Sequence, residues 1–217
     1  MDTFVLDTTS VTEARLRQAL GRTNLEEVVI DIASLIREAR LLLKARFYMT
    51  PSTWSELRRI LIGNSVSLNA IQELAAWITV KAPDKLSLHI PASVFSEYVA
   101  DIRRRLYKGL RVAETAVRKA ARECPESESG CIGNAIKDLR DRYREATRKG
   151  LVDSVEDLDT ILLAMELKGI IVTSDAGIKR LGEQLGIIVV DPADFVNMLR
   201  RMLSSVQLKP HSKEKPG

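Results

Sequence analysis

The sequence predicts an α/β fold on a parallel sheet, with two helices inserted as a protrusion, and three observations carry that expectation. Short apolar segments near the two ends of the chain, residues 3–6 and 170–173, each run towards an aspartate, Asp7 and Asp175. Beyond residue 154, strand-like and helix-like segments alternate through short connections, the pattern of parallel strand–helix–strand units. Between these parts, residues 93–149 read as long helical stretches rich in Arg and Lys.

Taken in order, residues 3–6 (TFVL) form a short buried strand ending at Asp7, and Ser10 with Glu13 makes a capping-box start for a helix. From 25 to 44, Val28, Ile32, Leu35, Ile36, Leu42 and Leu43 recur near helical period, and residues 46–49 supply the next strand. Pro51 biases Thr50 away from helix, and Ser52 can cap a helix through Trp54, Leu57, Ile60 and Leu61 that carries Glu56 in its first turns. Gly63 and Asn64 break that helix, residues 68–80 read as helical, and residues 81–85 form a polar link. Residues 86–90 are open between a strand and an extended lead into the following helix, because Pro91 comes next.

One long helix is expected from Ser93 to about Glu123, interrupted at most by Gly109. Pro125 and the following Glu-Ser-Glu-Ser-Gly make a hairpin tip, and residues 132–149 form a second basic amphipathic helix closed by Gly150. The last third reads helix 155–168, strand 170–173, helix 176–185, strand 187–190 and helix 193–203. The expected organisation is one domain from residues 1–90 and 151–205, a helical protrusion at 91–150, and a disordered polar tail at 206–217.

Composition narrows the class. The chain has 217 residues, 45% hydrophobic and 29% charged, which suits a soluble globular protein of one domain with an insertion or two small domains. No apolar run reaches the roughly 18–20 residues of a membrane span, and the N-terminus MDTFVLDTT lacks the basic and apolar segments of a signal peptide. A cytoplasmic protein with no membrane partner is expected. Cys124 and Cys131 read as two ordinary thiols, with a stapling disulfide as the alternative; with only His89 and His211 beside them, no zinc spacing is formed. Two histidines leave no Ser-His-Asp or Cys-His arrangement, and there is no phosphate-cradling glycine loop.

The chemistry lies in acids from distant parts of the chain. Asp7 and Asp175 follow strands of a parallel sheet, at the carboxyl edge where such folds build ligand sites. Glu56 and Asp157 sit in first turns of helices and can lean towards that edge. Each has a local alternative: Asp7 as a turn cap, Asp157 as the closing residue of a capping box begun by Ser154, and Asp175 as a helix N-cap. Together they predict a hard divalent cation, Mg²⁺ or Mn²⁺, that positions a water and stabilises charge on a phosphodiester. Asp7, Asp157 and Asp175 are the expected principal ligands. Asp153, Asp159 and Glu56 complete the site or orient water, and Thr8 and Ser174 hydrogen-bond to the acids. If the helix starts before Asp157, Asp157 and Asp159 fall on opposite flanks of its apolar stripe; if it starts later, Asp153, Asp157 and Asp159 share one acidic mouth.

Net charge is +4, but residues 101–150 hold 14 Lys or Arg against 8 Asp or Glu, leaving the rest of the chain slightly acidic. Arg103, Arg104, Arg105, Lys108, Arg111, Arg140 and Arg144 are therefore candidates for holding RNA beside a negative centre, with a merely solvated helical face as the plain alternative.

Asp7 after a strand, Glu56 in TPSTWSEL, Asp157 in SVEDLDTILLAMELKG and Asp175 in VTSD resemble, in order and context, the four-acid pattern of PIN-domain metal-dependent ribonucleases. The resemblance covers residues 1–61 and 151–203 and implies a three-layer α/β/α fold. The long basic insertion is similar to that of the HARP-type, RNA-free RNase P family, also called RNA ligase partner proteins, whose Asp-rich cluster Asp7, Asp153, Asp157, Asp159 and Asp175 match in spacing. Membership implies removal of the 5′ leader from precursor tRNA with Mg²⁺ or Mn²⁺, leaving a 5′-phosphate. It also implies that the protrusion mediates dimer contacts and tRNA elbow binding in a large homo-oligomer, a ring or star reaching a dodecamer. Glu97 in IPASVFSEYV stands in a context like that of Glu56 and remains the alternative fourth acid. A PIN endonuclease with another RNA target and a non-catalytic RNA-binding partner are the competing functions.

Overall fold

The computed structural model describes residues 2–124, 129–148, 150–152 and 154–207; the expected hairpin tip at 125–128, Lys149, Asp153 and the tail from 208 lie outside the described residues. The chain divides into two compact units, residues 1–88, 154–175 and 186–217 in one, and 89–153 with 176–185 in the other.

The first unit is built on a five-stranded, wholly parallel sheet: β1 (Thr3–Leu6), β2 (Arg46–Met49), β3 (Thr79–Val80), β4 (Ile170–Val172) and β5 (Val189–Val190), in the order β3-β2-β1-β4-β5. Parallel sheets bury both faces, so the central strand must be apolar throughout. All four residues of β1 are buried. Helices α1 (Thr9–Thr12), α2 (Ala14–Leu20), α3 (Leu25–Leu42), α4 (Pro51–Gly63), α5 (Leu68–Trp77), α8 (Val155–Leu167) and α10 (Pro192–Gln207) complete this unit.

Strand alternation sorts the core into two faces. Phe4, Leu6, Phe47, Met49 and Val172 point into one apolar cluster with residues of α2, α3, α5 and α10, and Phe4, Phe47 and Phe195 pack ring to ring at 5.3–6.2 Å. Val5 and Ile171 are fully buried outside that cluster, on the face where α8 lies against β1 and β4. The result is a three-layer α/β/α arrangement. Gly169 lets α8 turn tightly into β4, since a Cβ there would stand 3.1 Å from the carbonyl oxygen of Thr3.

The second unit consists of α6 (Ala92–Glu123), α7 (Ser129–Arg148), α9 (Ala176–Gln184) and the segments joining them. Helices α6 and α7 pack along each other, and Gly109 makes their approach possible: a Cβ at that position would lie 2.7 Å from the Tyr143 ring and 2.9 Å from the Thr147 methyl. Gly109 is thus a packing glycine inside an unbroken helix rather than the interruption the sequence allowed. Cys124 and Cys131 form a disulfide between the end of α6 and the start of α7, so the two-thiol expectation is corrected: the Cα atoms stand 5.6 Å apart, within reach of a bridge.

Other expectations shift as well. The helix read over 68–80 stops at Trp77, and Thr79–Val80 instead pair in parallel with Tyr48 and Met49 as the edge strand β3. Residues 86–90 form no strand; a turn spans residues 85–87, with Ser87 N donating to Asp84 O at 3.3 Å. Ser10 and Glu13 make no capping box, because the Ser10 hydroxyl is spent on Asp7 O at 2.6 Å. Thr50, not Ser52, caps α4, accepting from Thr53 N at 3.2 Å with Pro51 in the first turn. Helix α9, expected within the main domain, clusters with the second unit. No helix among the described residues is long and apolar enough to cross a membrane.

Candidate active site

Register places the first acid. Leu6 of β1 pairs with Val172 of β4, and the ladder continues one step as Asp7 N donates to Val172 O at 3.1 Å. That step sets Asp7 beside Thr173, the residue following β4. Its carboxylate is buried, and a buried charge must be met by donors. The hydroxyls of Thr9 and Thr173 both donate to Asp7 Oδ2 at 2.8 Å, and the Thr8 hydroxyl lies 3.3 Å from Oδ1.

The same hydroxyls hold the chain on the other side of the site. Thr173 Oγ1 accepts from Asp175 N at 3.0 Å while donating to Asp7, and Thr9 Oγ1 accepts from Ser174 N at 2.9 Å. One threonine oxygen therefore joins the carboxylate of Asp7 to the backbone of Asp175. The Asp175 side chain is exposed beyond that bond.

Helix α8 supplies the next acids. Ser154 caps it, accepting from Asp157 N at 3.0 Å, so the helix begins at Val155, ahead of Asp157. Asp157 and Asp159 consequently lie on different flanks of α8, and the shared acidic mouth is not formed by these two. Thr160 Oγ1 meets Thr53 Oγ1 at 3.3 Å, fixing the first turns of α8 against the start of α4. Glu56 lies exposed on α4 in this unit; Glu97 belongs to the second unit, where Gln184 donates to it at 2.9 Å.

Asp159 has its own cation. Lys85 Nζ stands 2.6 Å from Asp159 Oδ1. Among the described residues, no three of His, Cys, Asp and Glu gather closely enough to hold a metal ion, and Asp153 lies outside those residues. The chemistry of Asp7, Asp157 and Asp175 still fits a hard divalent cation, because every donor is a carboxylate oxygen.

In the second unit, Arg103, Arg104, Lys108, Arg111, Arg140 and Arg144 are exposed, but Arg105 is not free for a phosphate. Its Nε donates to Asp101 Oδ2 at 2.9 Å and an Nη to Gly150 O at 3.3 Å, leaving 14% of the side chain exposed. Arg180 of α9 reaches the same Asp101 oxygen at 2.9 Å. Burial pushes the Asp101 carboxyl up, but the hydrogen bond and charge of Arg105, with the charges of Arg180 and Arg104, outweigh it and hold the group below its ordinary value.

The Thr8 hydroxyl donates to Asp7 Oδ1, and the Ser174 backbone N–H donates to Thr9 Oγ1 rather than to an acid. Thr9 and Thr173 were not singled out in the sequence although, among the described residues, they make the shortest bonds to the Asp7 carboxylate. A hydroxyl residue directly beyond β4, and another within three residues of the end of β1, were the available signal.

The profile of the PINc domain ribonuclease family matches residues 3–204. Proteins named RNA-free ribonuclease P are similar over nearly the whole chain. That of Ignicoccus hospitalis is 44% identical over 204 residues, covering 94% of this chain and 97% of its own. That of Aeropyrum pernix is 44% identical over 204 residues, covering 94% and 92%. That of Hyperthermus butylicus is 43% identical over 212 residues, covering 92% and 88%.

Proposed function

This chain belongs to the PINc domain ribonuclease family, and from that membership we propose that it acts as an RNA-free ribonuclease P, an endoribonuclease that removes the 5′ leader of precursor tRNA. The observation that carries the site is the hydroxyl bridge from Asp7 through Thr173 to the backbone of Asp175, at the carboxyl edge of the sheet. Asp7, Asp157 and Asp175 would hold a divalent cation, Mg²⁺ or Mn²⁺. That cation supplies an activated water and charge stabilisation at the scissile phosphodiester.

The chain's own residues do the rest. Thr9 and Thr173 fix the Asp7 carboxylate in one orientation, and the capping of α8 by Ser154 fixes where Asp157 stands. Asp153 and Glu56 complete the site or orient water, and Asp159 orients water from beside Lys85. Arg103, Arg104, Lys108, Arg111, Arg140 and Arg144 hold RNA phosphates, with Arg105 serving Asp101 instead. The product carries a 5′-phosphate, the working assembly is a homo-oligomer of dimers, and the reaction takes place in the cytoplasm.

The test is to map the cut in 5′-labelled precursor tRNA with the wild type and Asp175→Asn, with a chelator as control. Removal of the intact leader by the wild type alone is expected. A cut away from the leader junction, or undiminished cutting by the variant, overturns the reading.

A further inference from the structure

We propose that Lys85 is a positioning residue that serves as the resident counter-cation of Asp159, so that the divalent ion is held without Asp159; this rests on reading the sheet edge as a metal-dependent nuclease site. Asp159 Oδ1 is shielded from solvent and receives no well-aligned hydrogen bond among the described residues. A buried carboxylate oxygen in that position needs a charge to offset it. The Lys85 ammonium, 2.6 Å away, is that charge.

The ammonium is brought there by a built structure. Asp159 and Glu166 are seven residues apart on α8, close to two full turns, and so share one flank of the helix. Glu166 grips the segment that carries Lys85 at two points: Lys81 Nζ donates to Oε1 at 2.6 Å and Asp84 N donates to Oε2 at 2.8 Å. The hydrogen bond from Lys81 and that from the Asp84 amide hold the Glu166 carboxyl below its ordinary range despite some burial. A further bond from Leu86 N to Asp84 Oδ1 at 3.2 Å shapes the turn around Lys85. Two lysines thus face two acids two turns apart, and the Glu166 grip aligns Lys85 with Asp159.

The arrangement divides the acids. Asp7 is oriented by neutral hydroxyls, which leave its negative charge available to a cation. Asp159 is already neutralised by a protein cation, which lowers the total charge of the site and removes one carboxylate from competition for the ion. Asp159 is left to act through the Lys85 pair on what approaches α8.

The experiment is a Mn²⁺ titration of the metal-stripped full-length protein, without RNA, by calorimetry and by electron paramagnetic counting of bound ions. The variants are Lys85→Gln, Lys85→Arg, Asp159→Asn, the double variant Lys85→Gln/Asp159→Asn, and Asp7→Asn as reference. Lys85→Arg is expected to bind within about twofold of the wild type, and Asp159→Asn, which leaves the Lys85 ammonium uncompensated, to bind more weakly by less than about tenfold. Lys85→Gln, which leaves Asp159 uncompensated, is expected to bind about tenfold tighter or to take up a further ion, and the double variant to return to the wild-type value. Glu166→Gln, which loosens the grip, is expected to move in the same direction as Lys85→Gln by a smaller factor. A loss in Asp159→Asn as large as in Asp7→Asn, or an unchanged titration in Lys85→Gln, overturns the proposal. Because no RNA is present, the metal shift appearing with no leader removal would sink the tRNA-processing reading and leave Lys85 in its role; leader removal with no shift would do the reverse.

Discussion

Around Asp7 the polar contacts run from neutral hydroxyls to one buried carboxylate, whereas along α6 and α7 they run between full charges, most of them in solvent. Thr9 and Thr173 donate to Asp7 at 2.8 Å, with Asp7 and Thr173 buried and Thr9 half-buried. The pairs Arg142–Asp138 at 2.9 Å and Lys119–Glu123 at 3.8 Å are half exposed and span one helical turn. Exposed pairs of this kind contribute roughly 0–1 kcal/mol and weaken with salt. The two regions also differ in core: the sheet is sealed by fully buried Phe4, Phe47 and Phe195, while only Val94, Asp101 and Gly109 of the 32 residues in α6 are buried. Geometry at the sheet edge is thus set by short-range bonds indifferent to ionic strength. The helical pair depends on a close-packed seam, a disulfide and a screened lattice of charges.

Four measurements break or sharpen that contrast, taken from the largest effect down. Asp7→Asn removes a charge at the centre of the site, so single-turnover cleavage of precursor tRNA should fall by about a thousandfold, several kcal/mol of barrier, with thermal unfolding little changed. Thr173→Val leaves Asp7 and the Asp175 amide short of a partner, which should cost about 1–3 kcal/mol in urea unfolding and slow cleavage in parallel, at low and high salt alike. Reduction of the Cys124–Cys131 bridge frees a short loop, and chain entropy puts the loss near 2 kcal/mol; hydrogen exchange should quicken in α6 and α7 and not in β1 or β4.

The smallest effect is acid sensitivity at Asp101. Its folded-state value lies below the ordinary 3.8, so ionised Asp101 contributes stability that is fully present above that ordinary value and is lost as pH falls through the lowered one. Circular dichroism during acid titration should show the helical unit weakening first below about pH 4, and Asp101→Asn should flatten that limb. An equal response of the sheet unit would erase the contrast drawn here.

Legibility followed locality. Strands β1 and β2 and helix α8 could be read because their signals sit inside the elements: a four-residue apolar run, a second such run, and Ser154 ahead of a periodic stripe. The two-residue strand β3 could not, since Thr79 and Val80 are exposed and are strands only because Tyr48 and Met49 lie beside them. At the site, Asp7 and Asp175 were marked by their positions after strands. Thr9 reaches Asp7 from two residues away and carried no further distinguishing pattern, whereas Thr173 was hidden because its bond to Asp7 depends on the register Leu6↔Val172, a pairing across 166 residues. Lys85 was hidden for the same reason, as nothing near it in sequence points to α8. Gly109 carried a signal for close approach that was taken only as a possible interruption of the helix.

The order in which the chain visits its two units has a consequence for anyone who would rearrange this protein. It passes between them four times, at 88/89, 153/154, 175/176 and 185/186, so the second unit is assembled from two separate stretches. Gly177 of the shorter stretch comes so near the longer one that a Cβ would stand 2.6 Å from Leu151 O. Excising residues 89–153 alone would strip α9 of the backbone it lies against, directly after Asp175. The unit is therefore no detachable cassette: shortening, swapping or grafting it calls for both stretches to be exchanged together, and each exchange leaves a scar at the residue next to an acid of the site.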